Sequence, residues 1–155
     1  MRAFFYDTWA FLALANTADD GHAIAVEADA HMERAGYAAV TSDYVVDETL
    51  TGLHAAAGAP VALAFADAIA ARTAAGELTL TDVTAPRRER ALTLFRRLAP
   101  DALRLSFTDC TSFALMHEFG ITAAFTADPH FHRAGRGVCP LIIRRAGQHT
   151  FQPPG

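Results

Sequence analysis

A chain of 155 residues, 52% of them hydrophobic and 19% charged, is long enough to bury one core, yet no stretch supplies the roughly 18–20 apolar residues of a membrane span. The net charge of −4 excludes a protein coated in positive charge, although all 13 basic residues are arginine, whose planar fork suits phosphate. Two cysteines, Cys110 and Cys139, exclude a disulfide framework; with Asp7 inside the early apolar stretch no secretory leader is read, and a cytoplasmic protein without membrane contact is expected.

Residues 2–6 are a short apolar run ending on Asp7-Thr8, and Trp9, Phe11, Leu12 and Leu14 follow at spacings that predict a buried helix. Residues 16–22 are rich in turn formers, 22–34 read as a moderately amphipathic helix stopped by Gly36, and 37–40 as a second strand. Ser42 is placed to cap a helix over 43–57, whose apolar stripe is Val45, Val46, Leu50, Leu53 and Ala57. Asp47 and Glu48 flank that stripe on opposite edges. Periodicity alone does not choose between them, although the small neighbours of Glu48 slightly favour it.

After Gly58-Ala59-Pro60 the chain reads as an alanine-rich helix to residue 75, a strand over 78–83, and an amphipathic helix over 86–98 with Leu92, Leu94, Phe95 and Leu98 inward. Ser106 or Thr108 then caps a helix that carries Asp109 in its first turn and stops at Gly120. That helix is apolar almost all round, so burial is expected, and Asp109 shares a face with Ser112, Phe113 and Met116. Residues 121–125 suit a buried strand, which sets Asp128 just past a strand's carboxyl end. Residues 138–143 read as a last strand, with Pro140 marking an edge position. The alternation of strands and helices predicts an α/β fold whose parallel sheet is covered on both faces. It forms a single domain over 1–145, followed by a loose tail over 146–155.

Asp7 and Asp128 follow strands, Asp109 opens a helix, and Glu48 lies one turn into another. Ligands of open α/β sheets bind beyond the strands' carboxyl ends, so neighbouring strands would bring these acids together. Carboxylates that close repel one another unless a cation neutralises them, and oxygen donors select hard ions such as Mg²⁺ or Mn²⁺. The chemistry such a set supports is metal-assisted phosphodiester hydrolysis.

Over nearly the whole chain the sequence resembles the PIN domains, and most closely the VapC-like toxins of bacterial toxin–antitoxin pairs. The resemblance rests on Tyr6-Asp7-Thr8, Asp19-Asp20-Gly21-His22, Thr41-Ser42-x-x-Val45-Val46-x-Glu48, Leu105-Ser106-x-x-Asp109 and Thr126-x-Asp128-x-x-Phe131. It implies a PIN-like α/β/α sandwich with a mostly parallel sheet of about five strands. It further implies Mg²⁺- or Mn²⁺-dependent endoribonuclease activity on RNA, a homodimer, and inhibition by a small antitoxin protein. Its acidic residues fall on Asp7, Glu48, Asp109 and Asp128 as metal-holding and catalytic positions, with Thr8 or Ser106 in support. The resemblance thus selects Glu48 over Asp47. The chain departs from the family in Trp9, which replaces a small residue, and in having no lysine.

Other residues are read as structure. Trp9 and Phe11 are assigned to the core, Asp19, Asp20 and Asp47 to the surface, and Cys110 is treated as a small hydrophobe. His130 and His132, beside Asp128, are read first as surface residues and second as contacts to substrate phosphate. With His117, Cys110 and Cys139 they match none of the usual closed zinc spacings. Arg87, Arg88, Arg90, Arg96 and Arg97 form one basic cluster, which reads equally well as a solvated helix face, and Arg133, Arg136, Arg144 and Arg145 form another. Three alternatives compete with a toxin nuclease. A phosphatase or phosphotransfer domain built on Asp7 is weakened by Trp9, which stands where a second Asp belongs, and by the missing lysine. The others are a housekeeping RNA-processing nuclease and a non-catalytic nucleic-acid-binding or interaction module.

Overall fold

Phe4, Phe5 and Tyr6 are all buried, so strand β1 (Ala3–Tyr6) has apolar cover on both faces, as a central strand of a parallel sheet requires. The computed structural model describes residues 2–135 and 137–155; Arg136 of the second arginine cluster lies outside the described residues. Around β1 the sheet runs β3–β2–β1–β4–β5, with β2 (Ala38–Ser42), β3 (Leu78–Thr81), β4 (Ala123–Phe125) and β5 (Cys139–Pro140), every pair parallel. The chain moves outward from β1 through β2 and β3, then returns to lay β4 on the other side of β1. That reversal opens a crevice beyond the carboxyl ends of β1 and β4, the usual ligand position in such sheets.

Among the described residues six α-helices clothe this sheet in an α/β/α sandwich: α1 (Thr8–Ala15), α2 (His22–Arg34), α3 (Asp43–Ala57), α4 (Ala59–Ala74), α5 (Ala85–Leu98) and α6 (Phe107–Phe119). Tyr6 gathers three of them. Its ring stacks on Phe11 of α1 with centroids 4.6 Å apart, its hydroxyl donates to Asp29 of α2, and Arg72 of α4 donates to it at 3.2 Å. A buried phenol with both roles satisfied locks those helices to the central strand. Helix α6 is buried at every residue from Asp109 to Met116, as its almost all-round apolar character predicts, and ends where Gly120 turns left-handed at φ 66°.

Three expectations are corrected. The strand read over 138–143 divides: β5 completes the edge of the parallel sheet, and past Leu141 the chain enters β6 (Ile142–Arg145), which pairs antiparallel with β7 (Gln148–Phe151). Much of the tail read as loose is therefore a hairpin strand. Ala146 and Gly147 both take positive φ, 50° and 79°, the two-residue turn whose twist matches flanking strands, and Phe151 packs on His31 of α2. On α5 the buried residue is Ala91, whereas Leu92 is 42% exposed; the helix is rotated slightly from the orientation its leucines suggested. Among the described residues no helix is long and apolar enough to cross a membrane.

Candidate metal centre

Asp7 is the first residue past β1, and its N–H still donates to Phe125 O at 3.2 Å, so the β1–β4 pairing extends to it. It precedes α1 in the N-cap position yet makes no side-chain cap bond. Its Oδ2 instead accepts from the Thr126 hydroxyl at 2.7 Å, and its Oδ1 is buried without a partner. Asp at a helix start usually satisfies the first-turn N–H groups, so forgoing that bond for an orphaned buried oxygen marks a side chain held for something else.

Thr126 ties a second acid to the same place. Its hydroxyl oxygen accepts from the Asp128 N–H at 3.0 Å, fixing the turn that leaves β4, while Asp128 Oδ1 accepts from the His130 N–H at 2.8 Å. Asp109 comes from α6 through a reciprocal cap: Ser106 Oγ accepts from the Asp109 N–H at 2.9 Å, and Asp109 Oδ2 accepts from the Ser106 N–H at 3.0 Å. Glu48 arrives on α3, whose start is set by Ser42 Oγ accepting from the Val45 N–H at 3.2 Å.

Asp7, Glu48, Asp109 and Asp128 all line one cleft of about 730 Å³. Two of these acids, Asp109 and Asp128, form a tight group with His130, each offering a ligand atom within 4.8 Å of the others; Asp7 and Glu48 line the cleft outside that group, as does His132. His130 Nδ1 lies 3.4 Å from Asp128 Oδ1 and 3.9 Å from Asp109 Oδ2, buried and without a hydrogen bond.

The acids perturb one another. Burial pushes the Asp7 carboxyl up to about 8, helped by the Asp109 charge and, less, by Asp128, while Thr126 and the Thr8 N–H oppose the shift. Burial likewise lifts Asp109 to about 6, with the Asp128 and Glu48 charges adding to it against its bonds to Ser106. Carboxylates that are buried, mutually repelling and short of partners could hold a cation, which would offset their repulsion. The fit is good: Asp7 Oδ1, Thr8 Oγ1 and His130 Nδ1 are buried polar atoms without partners, and a carboxylate-dominated donor set suits Mg²⁺ or Mn²⁺.

All four acids singled out from sequence thus line the cleft, and Asp47 is exposed outside it. Sequence reasoning misjudged two neighbours. His130 is not a surface residue, since its side chain is 18% exposed and it joins the tight group. Trp9 is half-buried and lines the cleft rather than lying wholly in the core. It assigned no role to Thr126, although a polar residue closing an apolar strand was the available signal. In the first arginine cluster, Arg87 pairs with Glu118 of α6 at 2.6 Å and Arg90 pairs with the same carboxylate, so both are engaged in packing.

The chain belongs to the PIN domain family, whose model matches residues 4–137. Within that family it is similar to VapC toxins. A crystal structure of Mycobacterium tuberculosis VapC20, a toxin that cleaves the sarcin–ricin loop, shares 31% identity with it, covers 86% of this chain and 95% of that one, and superposes with a TM-score of 0.72. DNA-bound VapBC from Salmonella typhimurium has the same fold at 16% identity, covering 89% of this chain and 96% of that one with a TM-score of 0.61. VapBC2 of Rickettsia felis, bound to a promoter DNA fragment, does so at 14% identity, 85% and 92% coverage and a TM-score of 0.60. Among curated proteins none matches in sequence.

Proposed function

We propose that this protein is a metal-dependent endoribonuclease, the toxin of a VapBC-type toxin–antitoxin pair, hydrolysing RNA phosphodiester bonds in the acidic cleft. The observation that carries the reading is the buried, unpartnered Oδ1 of Asp7 beside Asp109 and Asp128 in a cleft at the sheet's switch point. Asp7, Glu48, Asp109 and Asp128, with His130, would hold Mg²⁺ or Mn²⁺. A cation bound there supplies Lewis-acid activation of water and of the phosphate. The chain's own residues are arranged for it: Thr126 orients Asp7 and the Asp128 turn together, Ser106 fixes Asp109, and Asp7, whose carboxyl burial favours in the protonated form, would have to release that proton to hold the ion. No side chain serves as a covalent nucleophile in this reading. VapC20's action on the sarcin–ricin loop supports RNA as the substrate class, and the likeness to VapBC assemblies supports a small antitoxin partner. The reading also takes the protein as a homodimer, which only the sequence resemblance to the VapC-like toxins suggests.

The test is incubation of a mixed RNA pool with purified protein in Mn²⁺, Mg²⁺ or EDTA, alongside Asp7→Asn and Asp109→Asn. Cleavage that requires the cation and is lost in both folded variants is expected. Full cleavage by both variants, or cleavage undiminished by EDTA, would overturn the assignment.

A further inference from the structure

The family match ends at residue 137, yet the cleft does not. Ile142, Ile143 and Arg144 of β6 and His149 of β7 line it together with the acids. Arg144 and His149 are direct cross-strand partners, so they project from the same face of the hairpin. The hairpin is tied to the metal-site framework. The Ile142 N–H donates to Thr126 O at 3.1 Å, the residue that holds Asp7, and the Gln152 N–H donates to Leu141 O at 2.7 Å. Its far strand is braced by Trp9, whose indole lies 5.4 Å from the His149 ring and so close to Gly21 that a Cβ there would stand 2.7 Å from it.

A second arginine reaches the cleft from the segment between α5 and α6. Arg104, just ahead of the Ser106 cap, takes φ 71°, a left-handed conformation uncommon outside glycine. Arg104 and Arg144 are both exposed and, among the described residues, neither forms an ion pair, although four carboxylates share their cleft. A polyanion approaching four acids is repelled unless unpaired cations at the mouth offset that charge.

We infer that the β6–β7 hairpin is the substrate-binding wall of the cleft, with Arg144 and Arg104 gripping backbone phosphates of RNA next to the scissile one and His149 backing Arg144. The identity of the ligand rests on the nuclease reading; the wall rests on the hairpin's placement. The test is fluorescence anisotropy of a labelled mixed-sequence single-stranded RNA in EDTA, over a salt series, with wild type, Arg144→Ala, Arg104→Ala, Arg144→Lys and, as control on α5, Arg97→Ala. Each cleft alanine is expected to weaken binding on the order of tenfold and to reduce the slope of log affinity against log salt by about 0.7, the share of one single-strand phosphate contact. Arg144→Lys restores the slope, and Arg97→Ala leaves both quantities unchanged. No RNA binding by the wild type, unchanged slopes in the cleft variants, or an equal loss in Arg97→Ala would overturn the inference. Cleavage read in Mn²⁺ separates the two claims. Cation-dependent cleavage with binding undiminished in both alanine variants removes the wall alone, whereas arginine-dependent binding without any cleavage supports the wall and removes the nuclease reading.

Discussion

Replacing Asp7 by Asn is expected to stabilise the metal-free protein at alkaline pH while abolishing most of its response to metal. In the folded chain Asp7 titrates at about 8 instead of 3.8, because burial and the Asp109 charge both penalise its ionised form. The unfolded chain ionises it at the ordinary value. Between those values the folded state holds a proton that the unfolded state has lost, so this group's contribution is full below about pH 4 and declines as pH rises towards 8. Across ~4 pH units at about 1.4 kcal/mol each, the decline is on the order of 5 kcal/mol, and it belongs to the Asp7–Asp109 pair jointly. Asn keeps an acceptor for Thr126 but sets an amide near the Thr8 N–H, so the net gain near pH 8 is roughly 2 kcal/mol, or roughly 4–8 °C in Tm. Thermal unfolding followed by circular dichroism from about pH 5 to about pH 8, in EDTA and in Mn²⁺, measures it. In EDTA the variant's advantage widens with pH. In Mn²⁺ at a hundredfold excess over Kd the wild type gains about 2.7 kcal/mol and the variant much less. A variant less stable than wild type in EDTA at high pH, or a gap that does not change with pH, would refute the reasoning.

Thr126→Val removes the hydroxyl that holds Asp7 and the Asp128 turn, and is expected to weaken Mn²⁺ binding about 10–100-fold by calorimetry while the fold persists. Mn²⁺ loading near neutral pH displaces the Asp7 proton, so binding enthalpies measured in buffers of different ionisation enthalpy should report proton release, and less of it in Asp7→Asn. Ser106→Ala loses the α6 cap and is expected to cost about 1 kcal/mol in urea unfolding. Gly21→Ala drives a Cβ into the Trp9 ring and is expected to cost about 1–3 kcal/mol, loosening the hairpin that Trp9 braces; an unaltered urea midpoint would contradict that packing.

By itself the sequence determined the local pieces of this protein. Helices α2 and α3 lie where periodicity and the Ser42 cap placed them, α6 is buried because it is apolar almost all round, and Gly120 ends it, since caps, stops and hydrophobic spacing act within a few residues. It also set Asp7 and Asp128 one and three residues past their strands. Only the tertiary structure decided that β1 and β4 are neighbours, because strand order is a matter of long-range pairing to which local propensity is blind. From that adjacency follow the shared use of Thr126 by Asp7 and Asp128, the partial burial of His130 beside Asp109, and the elevated pKa of Asp7. The hairpin shows the same limit from the other side. Ala146-Gly147 is a weak turn signal in a short polar tail, and it becomes a wall of the cleft because Trp9, His31 and Thr126, all distant in sequence, supply the surfaces on which β6 and β7 rest.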